Sequence, residues 1–106
     1  WRHASDMLAI IRQQPSDPRP LFLYAALHVV HNPVEAPDAF LSVYQDSQPQ
    51  WCLKKQKSVA MASVADNVTA QLVDALQEQR MWSNTVLVFS SGECQTFSRP
   101  CECVAL

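Results

Sequence analysis

A single glycine, Gly92, in a chain of 106 residues constrains the fold more than any other feature. The usual share is about 7%. Left-handed helix caps, tight hairpin turns and phosphate-cradling loops all draw on glycine, because only it enters positive φ without a steric penalty. A nucleotide-binding loop of the glycine-rich kind is therefore excluded. The chain must turn by other means, and seven prolines supply part of them. Hydrophobic residues make up 48% of the sequence, enough for a packed core, so a disordered chain is excluded. The size suits one domain or a piece of one.

The net charge of −2 offers no overall electrostatic footprint for nucleic acid or an anionic membrane. No apolar stretch approaches the roughly 20 residues that span a bilayer. The chain opens on Trp1 with neither an initiator Met nor a basic-then-apolar leader, so no signal peptide is read here. Four cysteines occur, Cys52, Cys94, Cys101 and Cys103, three of them close to the end. They lack the paired spacing of a zinc site and read as free thiols or disulfides.

Ala4, Met7, Leu8 and Ile11 recur at helical spacing and predict a helix over about 4–14, which Pro15, Pro18 and Pro20 close. Residues 21–30, LFLYAALHVV, form an apolar run without alternation. Such a run fits a strand covered on both faces, here expected over about 21–28. A short helix is expected over about 38–44, after Pro37. The clearest helix spans about 55–79, where Met61, Ala65, Val68, Leu72 and Leu76 make an apolar stripe. Ser63, Asp66, Asp74, Gln77 and Glu78 fall on the other side. Residues 85–90, opening on TVLVF, predict a second buried strand. Helix, strand, helix, strand in this order predicts an α/β class with parallel strands. Two strands make an incomplete sheet with open edges, so a piece of a larger domain is expected.

Two stretches carry a family resemblance. RPLFLYAALHVVHNPVEAP resembles the sulfatase pattern of an aromatic strand followed by a His-x-Pro turn. MASVADNVTAQLVDALQEQRMWSNTVLVFSS resembles the helix and strand that follow it in arylsulfatases of the B, I and J group. The likeness runs from about Arg2 to Ser91. It implies a partial sulfatase domain over 1–91, an alkaline-phosphatase-like α/β layer, and a divergent cysteine-containing tail over 92–106. It also implies sulfuric ester hydrolysis in intact relatives, by a formylglycine made from the Cys of a Cys-x-Pro-Ser-Arg motif and assisted by Ca²⁺. A lysosomal or secreted location follows from the same resemblance. The implied partners are a sulfate ester substrate and the remainder of a sulfatase domain.

By that resemblance His31 matches the active-site histidine that hydrogen-bonds the sulfate or the leaving oxygen. From the residues alone, the preferred reading of His31 is a turn histidine that caps local carbonyls; only the resemblance brings the site reading level with it. His28 reads as packing, and His3, at the start of a helix, as a solvated side chain. Asn67-Val68-Thr69 is a glycosylation sequon on the polar face of the long helix, and the resemblance places a sequon there too.

The departures are as informative. No cysteine here precedes x-Pro-Ser-Arg, so the nucleophile is not in this sequence. Where the family carries an Asp and an Asn as metal ligands, this chain has Gly92 and Glu93. Glu93 is left as the one candidate metal ligand, far short of the six to eight oxygens that Ca²⁺ takes. The chain by itself is therefore expected to bind no calcium and to be inactive. A non-catalytic interaction module, or a decayed sulfatase-like product, is the alternative reading.

Overall fold

The computed structural model describes residues 2–16, 19–27, 29, 31 and 33–90, with the side chains of residues 2, 3 and 16 not described. Among the described residues five helical elements follow one another: α1 (Arg2–Gln13), a 3₁₀ turn (Gln14–Ser16), α2 (Asp38–Ser47), α3 (Leu53–Glu78) and a second 3₁₀ turn (Trp82–Asn84). The chain divides into two compact units.

The first unit comprises Trp1–Val29 and Ala65–Thr85, and so contains α1 and the carboxy-terminal half of α3. Its buried side chains are Met7 and Ile11 from α1, and Val68, Leu72, Ala75 and Leu76 from α3. Each set repeats at three- and four-residue steps, the spacing that lines up one helix face. Among the described residues, Ile11 is the largest side chain that is completely buried. α1 ends at Gln13. Pro15 lacks the amide that the next helical bond needs and disfavours helical geometry at Gln14. The Gln14 side chain then donates to the Arg19 carbonyl at 2.6 Å, which holds the turn.

α3 ends without glycine. Arg80 takes φ of 58°, the left-handed region. The Arg80 amide donates to the Gln77 carbonyl and the Met81 amide to the Leu76 carbonyl, both at 2.9 Å. These are the paired bonds of the Schellman termination, in which glycine is the usual left-handed residue. The second 3₁₀ turn follows, tied by the Thr85 hydroxyl, which donates to the Met81 carbonyl at 2.9 Å.

The second unit comprises Val30–Val64 and Val86–Leu106. Pro37 precedes α2, and its carbonyl accepts from the amides of Phe40 and Leu41. Asp38 in the first turn places negative charge where the helix dipole favours it. Pro49, just past the end of α2, cannot continue the helix. Leu41 is buried here, with Gln56, Ser58, Ala60, Met61 and Val64 of α3. Both buried polar groups are satisfied. The Gln56 amide donates to the Gln48 carbonyl at 2.9 Å, and the Ser58 hydroxyl to the Lys54 carbonyl at 2.9 Å. Tyr44 of α2 and Ser63 of α3 join hydroxyls at 2.6 Å.

The parallel α/β layer expected from the sequence is not what forms. Among the described residues there is no strand and no sheet. Residues 21–27 and 85–90 carry no regular structure, although both were expected as buried strands. Phe22 is 90% exposed and Tyr24 81%; Val86 is 90% exposed and Val88 80%. A strand exists only as part of a hydrogen-bond ladder, and a local apolar run cannot supply the neighbour. β-branched, apolar composition is thus compatible with a strand without producing one. The helices, whose hydrogen bonds close within the segment, form close to where the spacing places them.

Candidate functional site

His31 is the candidate catalytic residue. It is solvent-exposed and lies outside any helix, directly after the apolar run 21–30 in the sequence. Pro33 follows two positions on. His28 and Glu93 fall outside the described residues. His3 lies within α1 by its backbone.

The described residues gather no group of three His, Cys, Asp or Glu side chains able to hold a metal ion.

Asn67 sits mid-way along α3 and is exposed. Its Oδ1 accepts a hydrogen bond from the Gln71 amide at 2.6 Å, one turn further along. That arrangement leaves the Asn67 Nδ2, the atom a glycan would join, outside this bond. Val68, the middle residue of the sequon, points the other way and is buried. The Thr69 hydroxyl donates to the Ala65 carbonyl at 2.9 Å.

Three features went unmarked in the sequence. Cys52, just before α3, is disulfide-bonded. Cysteine count alone left free thiols and disulfides open, because pairing depends on which residues meet in space. Ser63, assigned by spacing to the polar side of α3, is half-buried and bonded to Tyr44. A hydroxyl can sit at the border of an apolar stripe when a second hydroxyl reaches it, and helical periodicity does not register that. Third, the Lys55 ammonium lies 4.0 Å from the centroid of the Trp51 ring, a cation–π contact.

Among the described residues, no helix is long and apolar enough to cross a membrane. No solved structure matches the chain. Arylsulfatase J of Mus musculus is 30% identical over 73 residues, which cover 69% of this chain. The chain spans about 12% of the length of that curated relative. The family model described as Sulfatase matches residues 3–98, which extends into the stretch read as a tail. A match over nearly the whole sequence, in agreement with the motifs quoted above, means that this chain belongs to the sulfatase family.

Proposed function

We propose that the protein carrying this chain hydrolyses sulfuric esters, as an arylsulfatase-type enzyme, and that this segment contributes His31 to the site. The observation that carries the proposal is the family match over residues 3–98, within which His31 stands exposed after the apolar run. The role assigned to His31 is proton donation. As the S–O bond of the ester breaks, the leaving oxygen takes the electron pair and accepts the imidazolium proton, which leaves a neutral alcohol or phenol. Fixed positive charge around the sulfate oxygens would stabilise the charge that develops. The nucleophile belongs to residues beyond this sequence, since none of its cysteines lies in a Cys-x-Pro-Ser-Arg motif. Calcium serves the reaction in this reading through ligands that the described residues do not supply, so no step is assigned to it here. The isolated chain is accordingly inactive. A lysosomal or secreted location, with a glycan on Asn67, completes the reading. The disulfide at Cys52 supports it, because such bonds persist in oxidising compartments.

The test is turnover of a chromogenic aryl sulfate by the intact protein and its His31→Ala variant. Loss of a general acid lowers kcat/KM by about 10²–10⁴-fold. The loss should shrink as the phenol becomes more acidic, because a good leaving group needs less protonation. Unchanged turnover would remove His31 from the site. Hydrolysis by the 106-residue chain alone would refute its assigned inactivity.

A further inference from the structure

Cys52 is disulfide-bonded and half-buried, and it stands immediately before α3. Its carbonyl accepts the Gln56 amide at 3.1 Å, so Cys52 closes the first helical turn from the capping position. The first amides of a helix have no carbonyl partner within it, and together they make the helix start partly positive. Full charges join that partial one: Lys54, Lys55 and Lys57 all follow within the next five residues. No Asp or Glu occurs between Asp46 and Asp66 to offset them. The Lys55 ammonium lies 4.0 Å from the ring centroid of Trp51, the residue beside Cys52, so this charge is folded back toward the helix start. The Gln56 side chain ties the same turn to the Gln48 carbonyl at 2.9 Å, a bond that does not involve the disulfide. Lysines at the amino end of a helix oppose its dipole, so they work against α3 while Cys52 is neutral. A negative sulfur at Cys52 would reverse the sign of that interaction.

We propose that the Cys52 disulfide is a redox switch, opened by a thiol of the glutathione class, with Cys52 leaving as a thiolate held by the start of α3 and its lysines. The incoming thiolate attacks the partner sulfur, and its electron pair forms the new S–S bond. The old S–S bond breaks, and Cys52 departs with that pair. A second glutathione thiolate attacks the glutathione sulfur of the mixed disulfide and frees the partner cysteine. Two glutathiones are thereby oxidised to one disulfide, and the two protein sulfurs are reduced. A stabilised thiolate favours this reaction twice, since it leaves faster and makes the reduced form more stable. The sequence offers Cys94, Cys101 and Cys103 as the bonded partner, all far down the chain, so opening the bond removes a long-range tie. The switch is independent of His31 and of ester hydrolysis.

The experiment equilibrates the intact protein with mixtures of reduced and oxidised glutathione at fixed pH. Acid quenching, alkylation and peptide mass spectrometry then give the reduced fraction of Cys52. Cys52 should become reduced while the helical circular dichroism is unchanged. Lys54→Gln/Lys55→Gln should lower the equilibrium constant for reduction about fivefold, the effect of removing two exposed charges near the sulfur. Lys54→Arg/Lys55→Arg should keep the wild-type value, which separates charge from folding, and the wild-type value should fall as salt rises. An equal constant in the glutamine variant and the wild type would overturn the proposal. So would a Cys52 that is reduced only as the helical signal is lost, which would make the bond a structural staple. Because none of these readouts uses hydrolysis, their failure leaves the proposed activity untouched.

Discussion

The end of α3 allows a prediction whose size follows from its backbone. Arg80 occupies the left-handed region at φ of 58°. For a residue with a Cβ this conformation costs about 1–2 kcal/mol. Glycine would remove that cost but would gain freedom in the unfolded chain, an opposing effect of about 0.4–1 kcal/mol. The exposed guanidinium also sits at the carboxyl end of the helix, where a positive charge contributes about 0.3 kcal/mol. Arg80→Gly should therefore stabilise the terminus by about 0.5 kcal/mol, a factor of about 2 in local opening. Arg80→Ala loses the charge and keeps the Cβ, so it should destabilise by about 0.3 kcal/mol. The gap between the two variants, about 0.8 kcal/mol or fourfold in exchange rate, isolates the backbone term. Hydrogen exchange at the amides of position 80 and Met81 reads it directly, since both close the termination on Gln77 and Leu76. If Arg80→Gly proved no more protected than Arg80→Ala, the left-handed cost assigned to Arg80 would be wrong.

Leu72→Ala should destabilise the protein by about 2–3 kcal/mol in urea unfolding, since Leu72 is buried in the stripe of α3. Tyr44→Phe should cost about 0.5–1 kcal/mol, because Ser63 keeps its bond to the Val59 carbonyl; Ser63→Ala should cost more, since it strands the Tyr44 hydroxyl. Thermal melts of the two variants give the order. Asn67→Gln, expressed through a secretory pathway, should abolish one glycosylated band on a gel; identical mobility before and after the change would show the sequon unused.

The contrast between α3 and the two apolar runs shows where the sequence was legible. Met61, Val68, Leu72 and Leu76 were named from spacing and are buried. Ala60, Val64 and Ala75 widen the same face and were not named. The runs 21–27 and 85–90 looked equally decisive and misled, because their composition reports apolarity and not a partner. For the candidate site, His31 came from motif resemblance alone. Its exposure came from the coordinates.

Helices, proline-set ends and the family could be read from residue order, since each rests on neighbours within a few positions. Tertiary structure decided the rest: that Cys52 is oxidised, that Ser63 meets Tyr44, that Arg80 does the work of a glycine, and that the two apolar segments form no ladder among the described residues. Each of these depends on what lies across space, and an apolar segment carries no record of whether another strand will be beside it.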